Sequence, residues 1–280
     1  MAVSARWGEV RRRGSTDACS LEVGDMLSRR RPAAVPLPDG ATARAPDARK
    51  IVSWNLLRRT GAAVDCLVAL VERERPDLLL MQEATREISA LRERLGGVYA
   101  WAPLPGRIHG LAMWSSTPWE TPPEIVTLPA GVLIDRVCQV IDLGPFGVAN
   151  VHLSHGQVLN RRQLRWIEGH LPARAAVLGD YNIVGPALLP GFRDVGPRRP
   201  THTMVDVLPL RLDRCLVRGL ACEAHAVLPR GLSDHRPIVV ELAPHDAGAR
   251  AGRIRGMAAA VARLRRAGGS EARGHRSPPR

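Results

Sequence analysis

Ser233-Asp234-His235-Arg236-Pro237 stands directly before the apolar run Ile238-Val239-Val240. An Asp and a His at the mouth of a buried strand suit hydrolysis, where an imidazole takes a proton and a carboxylate holds the imidazole or a metal ion. Four more islands of this kind lie upstream: Ser53-Trp54-Asn55, Met81-Gln82-Glu83, Asn150-Val151-His152-Leu153 and Gly179-Asp180-Tyr181-Asn182. One such residue is ordinarily a cap or turn residue. Its repetition at the end of one apolar run after another points to a shared site.

Each residue type has its own use there. Glu83 follows Leu78-Leu79-Leu80-Met81-Gln82, and a carboxylate so close to a buried strand needs a cation or several donors. A hard divalent ion with oxygen ligands, Mg2+ or Mn2+, suits it, because magnesium takes one or two carboxylates and keeps several waters. Asn55 would add an amide oxygen or orient Glu83, and Asp234 is the further carboxylate free to touch the metal. Asp180 is the candidate to orient or deprotonate an attacking water, and Gly179 lets the backbone turn sharply or approach a ligand. Asn182 donates to an oxyanion without adding negative charge.

His235 reads as a general base, or as a cation that stabilises the transition state. Asp213, in Arg211-Leu212-Asp213-Arg214, is the carboxylate expected to fix its tautomer. His152 is a second imidazole, placed to hold a phosphoryl oxygen or protonate a leaving oxygen. His109, His155 and His202 read as loop residues.

These groups need a scaffold that brings strand ends together. Strand signals fall at 51–56, 78–81, 110–115, 125–128, 137–143, 146–153, 175–178, 212–217, 221–227 and 237–242. Gly144-Pro145 marks a hairpin between two of them. Helical spacing falls at 62–75, ended by Pro76, at 84–95, stopped by Gly96-Gly97, and at 159–171. Hairpins mixed with strand–helix–strand units predict layered sheets flanked by helices, an α/β fold whose reactive groups gather along one sheet edge.

Residues 50–243 form the expected catalytic domain. Residues 1–49, broken by Pro32, Pro36, Pro38 and Pro46, read as a loosely attached leader, and residues 244–280 as a basic tail with a helical stretch at 254–266. The net charge of +13 suggests an acidic partner, but the domain holds 22 Lys and Arg against 19 Asp and Glu. The tail holds 9 against 2 and reads first as a solvated basic tail, with an arm that contacts polyanions as the alternative. Lys50 is the only lysine, an arginine bias that codon usage can produce. Five cysteines without CxxC spacing argue against a disulfide framework or a zinc site. No apolar stretch reaches the roughly 18 residues of a membrane span, and a cytoplasmic monomer is the expectation.

In order, Ser-Trp-Asn, Gln-Glu, Asn-Val-His-Leu, Gly-Asp-Tyr-Asn, Leu-Asp-Arg and Ser-Asp-His-Arg-Pro resemble the endonuclease/exonuclease/phosphatase superfamily of metal-dependent phosphohydrolases. The resemblance covers about residues 50–243. It implies a four-layered α/β sandwich, with two mixed sheets face to face and helices outside. It also implies a metal end at Asn55 and Glu83, a nucleophile and phosphate end at Asp180 and Asn182, and an acid–His cluster of Asp213, Asp234 and His235. Two departures bear on substrate. Leu57 stands where abasic-site nucleases of the family carry a carboxylate, and His152 resembles the deoxyribonuclease I, sphingomyelinase and phosphatase branches.

The expected function is hydrolysis of phosphate esters, foremost as a phosphodiesterase or nuclease on DNA or RNA. Arg58-Arg59, Arg161-Arg162 and Arg198-Arg199 would neutralise phosphates, and Trp101, Trp114 or Trp119 would stack on a base. The alternative is a phosphomonoesterase or phosphodiesterase of a small phosphorylated metabolite, inositol phosphate or lipid headgroup, which fits the modest charge of the domain.

Overall fold

The structure is a computed structural model and describes residues 44–58, 61–131, 134–204 and 207–245. The chain divides into two units, Met1–Ala243 and Pro244–Arg280. The fold below belongs to the first. The leader as far as residue 43 and the helix expected at 254–266 lie outside the described residues. Residues 44–49, read as leader, belong to the fold: Ala48 is buried and Arg44 pairs with Asp77 and Glu241.

Two six-stranded sheets face each other. The first has the order β13 (Leu220–Val227), β14 (Ile238–Pro244), β1 (Arg49–Asn55), β2 (Leu78–Thr85), β4 (His109–Ser115), β3 (Val98–Pro103). The second runs β5 (Glu124–Thr127), β6 (Val137–Asp142), β7 (Gly147–His152), β8 (Ala175–Asp180), β12 (Asp213–Arg218), β9 (Arg193–Asp194). A separate hairpin pairs β10 (His202–Met204) with β11 (Leu208–Leu210). The helices are α1 (Val64–Glu74), α2 (Ala90–Leu95) and α3 (Gln157–Glu168).

The strand period of two builds the layers. Ile51, Leu78, Leu80 and Met113 point inward and meet Ile141, Val148, Ala176, Leu178 and Cys215 of the other sheet. Their neighbours Val52, Leu79, Met81 and Trp114 point outward, against Leu67 and Leu70 of α1 and Leu91 of α2. On the far side, Ala149, Val151, Val177 and Leu216 pack under Leu164 and Ile167 of α3. The result is the expected four-layered sandwich. None of the four described cysteines forms a disulfide. No helix among the described residues is long and apolar enough to cross a membrane.

The structure departs from the sequence reading in several places, among them the short strands β9, β10 and β11, which carry no strand signal. β2 runs on to Thr85, so residues 84–95 are not one helix but the end of a strand, a 3-10 turn and the short α2. β3 is an additional edge strand whose pairing comes entirely from β4. His109 and His202 begin strands β4 and β10 rather than lying in loops.

Candidate active site

Parallel pairing brings the polar strand ends together. β1 runs parallel to β2 with Asn55 opposite Gln82, and β7 runs parallel to β8 with His152 opposite Asp180. On each inner face the apolar residues give way to polar ones at the same end of the sandwich. β12 runs antiparallel to β8 and sets Asp213 opposite Asp180. Ser53 pairs with Ile238 in β14, so the segment just before β14 delivers Asp234 and His235 to that end.

The motifs hold one another. The Ser233 hydroxyl donates to the Asn55 carbonyl at 2.7 Å and accepts the His235 N–H. The Trp54 indole donates to the His235 carbonyl at 2.9 Å. His235 is thus fixed to the end of β1 at both backbone groups. Its Nδ1 lies 2.8 Å from Asp213 Oδ2. Thr201, fully buried, accepts the backbone N–H groups of Leu212 and Asp213 at 3.1 and 3.0 Å and holds the start of β12.

Asp180 is the hub. Its Oδ2 accepts from Asn55 Nδ2 at 3.0 Å and lies 3.4 Å from His152 Nε2 and 3.7 Å from His235 Nε2. Its Oδ1 accepts the Asn182 N–H at 2.9 Å. Burial alone would raise this carboxyl, but His235, His152 and the two N–H donors outweigh it and hold the carboxyl below its ordinary range. Burial, and then the Arg136 guanidinium, push His152 down to about 3, so His152 is neutral near pH 7. Burial also opposes charge on His235, yet Asp213 and then Asp180 overcome it and push this imidazole up to about 10. Burial raises Asp213 against the pull of His235, which lowers it.

One cleft of about 500 Å³ is lined by Asn55, Glu83, His152, Asp180, Asn182, Asp234 and His235. Asp213 stands behind His235, fully buried. At Gly179 φ is +142°, and a Cβ there would lie 1.9 Å from the Val151 carbonyl oxygen, so the glycine allows close packing of β7 on β8. Four described non-glycine residues have positive φ, and three of them, Leu57, Glu83 and Asn182, line this cleft. Strained backbone of this kind concentrates at functional sites. At Glu83 it comes from a bulge in β2, where the pairing with β4 slips between Gln82 and Ala84.

Sequence reasoning missed Arg136 and left His155 and His202, which also line the cleft, as loop residues. Arg136 is 5 % exposed, its Nε is buried without a hydrogen-bond partner, and it makes no ion pair within 4 Å among the described residues. A charged residue abutting the apolar run 137–143 is the signal that marks it. The His202 ring packs against that of His235, tilted by 43° with centroids 4.4 Å apart, and its Nδ1 is 3.8 Å from Asp234 Oδ2. In contrast, Trp101, Trp114 and Trp119 do not line the cleft. The first two spend their indole N–H on the Ala84 and Gly96 carbonyls and pack on the outer core, and Trp119 packs against the core between the sheets. Of the paired arginines Arg58 alone is among the cleft lining, where it bonds Glu83 at 2.9 Å, and Arg59 lies outside the described residues.

The family model described as "Endonuclease/Exonuclease/phosphatase family" matches residues 52–235. The chain belongs to the endonuclease/exonuclease/phosphatase family. Members are phosphoric ester hydrolases, and this chain is an enzyme of that class. No curated protein matches it. Solved structures share the family fold. An endonuclease/exonuclease/phosphatase from Beutenbergia cavernae DSM 12333 is 18% identical, with 72% of each chain covered and a TM-score of 0.58. TDP2 of D. rerio, complexed with a single-strand DNA product, is 16% identical over 70% of this chain and 98% of its own, with a TM-score of 0.58. A mannosyl-6-phosphatase of Bacteroides thetaiotaomicron VPI-5482 is 17% identical over 69% and 99%, with a TM-score of 0.55.

Endonuclease/exonuclease/phosphatase enzymes generally depend on a divalent metal, and the donors in the cleft suit a hard one. Glu83, Asp234 and Asp180 offer carboxylate oxygens, and magnesium needs only one or two of them beside water. Asn55 Oδ1 accepts the Leu57 N–H at 3.1 Å while its Nδ2 donates to Asp180 at 3.0 Å. Asp234 groups with His202 and His235, whose donor atoms all lie within 4.8 Å of one another.

Proposed function

We propose that the chain is a divalent-metal-dependent phosphodiesterase that cleaves nucleic acid. The observation that carries the reading is the pairing of opposite charges around one buried carboxylate. Asp180, held ionised, faces the His235 imidazole, held protonated, and the buried Arg136, whose Nε has no hydrogen-bond partner, lies beside the same cleft. A buried N–H left unpaired is costly, and a phosphoryl oxygen would satisfy it.

In this reading Asp180 orients the attacking water and takes its proton, with Asn55 fixing the carboxylate. The His235–Asp213 pair sets a positive charge against the phosphoryl oxygens and supplies a proton to the leaving oxygen. His152, being neutral, donates a hydrogen bond to a phosphoryl oxygen and does not act as the acid. Asn182 is held by the Leu153 carbonyl at 3.0 Å, which leaves its second amide N–H for the same oxygens. Glu83 and Asp234, with Asn55 beside them, would hold Mg2+ or Mn2+, which supplies Lewis-acid polarisation of a phosphoryl oxygen.

The test is incubation of the purified protein with Mg2+, Mn2+ or EDTA against plasmid DNA, single-stranded oligonucleotide and small phosphomonoesters. Metal-dependent cleavage of nucleic acid is expected. Intact nucleic acid with phosphate released from small esters would move the enzyme to the phosphatase reading.

A further inference from the structure

Helix α3 carries a second stripe that the fold does not use. Its buried face is Asn160, Gln163, Leu164 and Ile167. Directly opposite, at helical spacings of three and four, stand Val158, Arg161, Arg162, Arg165 and Trp166, all exposed and lining one shallow groove. Val158 is 85 % and Trp166 53 % exposed. None of the three arginines makes an ion pair among the described residues, and the one acid of the helix, Glu168, is taken by Arg218 at 2.8 Å. The helix begins next to the cleft: His155, just before it, lines the cleft, and Gln157 at its first position donates to the carbonyl of Val184, another lining residue.

We propose that this stripe is a binding surface for single-stranded nucleic acid leaving the catalytic cleft. The proposal rests on the nuclease reading above and deepens it. Three cations without acid partners among the described residues neutralise successive phosphates, and an exposed indole at the C-terminal end of the stripe stacks on a base, the two contacts that hold a single strand without reading its sequence. A helix of 12 residues extends about 18 Å, enough to track several phosphates at roughly 3.4 Å each along a stacked strand. A lipid surface would need a continuous apolar face, and here two apolar residues are separated by arginines.

The test measures binding of a fluorescein-labelled oligothymidylate of about 15 nucleotides, near the upper site size of a single-strand groove, to the full chain in EDTA over a range of salt. It compares wild type with the combined Arg161→Ala, Arg162→Ala and Arg165→Ala variant, with Trp166→Ala, and, as a control, with Arg92→Ala/Arg94→Ala on α2, exposed on the opposite sheet's helix layer. Hydrolysis of bis(p-nitrophenyl) phosphate with Mn2+ is followed in parallel. The triple variant should bind at least about tenfold more weakly, with its log–log salt slope reduced by about 2, given roughly 0.7 per phosphate contact on single strands. Trp166→Ala should weaken binding with an unchanged slope, and the control should match wild type. All four proteins should hydrolyse the small diester equally. Equal affinities and slopes for wild type and the triple variant would overturn the proposal, as would loss of binding to phosphatidylserine vesicles without loss of oligonucleotide binding. A wild type that fails on the small diester would count against the hydrolytic assignment, whatever the stripe binds.

Discussion

Gln82 donates from Nε2 to Asn150 Oδ1 at 2.8 Å, across the gap between the two sheets. Both side chains are fully buried. Gln82 also bonds Ser53, and the Asn150 amide bonds the Met81 and Ala112 carbonyls and Gln139 Oε1. The network lies just beneath the cleft and ties the sheet bearing Asn55 and Glu83 to the sheet bearing His152 and Asp180.

Breaking this network should loosen the whole sandwich. Asn150→Leu removes the acceptor of Gln82 Nε2 across the gap and the amide donor to the Met81 and Ala112 carbonyls and Gln139 Oε1, and should cost about 2–4 kcal/mol. Urea unfolding measures it. A loss below about 0.5 kcal/mol would show that the network does not hold the sheets.

Gly179→Ala is expected to be more damaging than its one methyl suggests. The added Cβ meets the Val151 carbonyl oxygen at 1.9 Å, and φ at this position is +142°. β7 must move away from β8, which separates His152 from Asp180. Thermal denaturation should show a marked loss of Tm. A variant with wild-type Tm would contradict the register described here.

Two histidines set opposite limits on stability in EDTA. His235, raised to about 10 in the fold, contributes stability fully below the ordinary value near 6.5, and this is lost as pH rises toward 10. His152, lowered to about 3, contributes stability above 6.5, and this is lost as pH falls toward 3. Asp213→Asn removes the main cause of the first shift, so its Tm should decline less steeply between pH 7 and pH 10, a range taken from the His235 value. Parallel alkaline declines in both proteins would refute the role of Asp213 in raising His235.

Glu83→Gln keeps shape and removes charge. Arg58, which bonds Glu83 now, would lose its ion pair. Affinity for Mn2+, followed by titration calorimetry, should fall by roughly 10-fold or more, with the fold intact by circular dichroism. Unchanged affinity would move the metal to the Asp234, His202 and His235 group.

Much of the site is legible in the sequence because each strand announces its own end. The apolar alternation of 51–56, 146–153 and 175–178 gives way to Asn55, His152 and Asp180, and the period of two assigns these residues to one face. That signal cannot separate catalytic from structural polar groups. Gln82 and Asn150 show the same pattern as Asn55 and Asp180, and only the contact across the sheets distinguishes them. The bulge that turns Glu83 into the cleft depends on β4, distant in sequence. Thr201 and His202 sit beside Pro200 with no periodic pattern, and their places follow from long-range bonds to Asp213 and the ring of His235. β3 reads as an unpatterned stretch because both its faces are apolar and only pairing with β4 makes it a strand.

The central claim is that Asp180 and the His235–Asp213 pair hydrolyse a phosphodiester. Its most direct test is the rate of single-stranded oligonucleotide cleavage in Mn2+ by wild type, Asp180→Asn and His235→Ala, each shown to be folded by its near-UV spectrum. The account predicts a fall in kcat of about 10²–10⁴-fold in each variant, with oligonucleotide binding retained. Cleavage at the wild-type rate by either folded variant would contradict it.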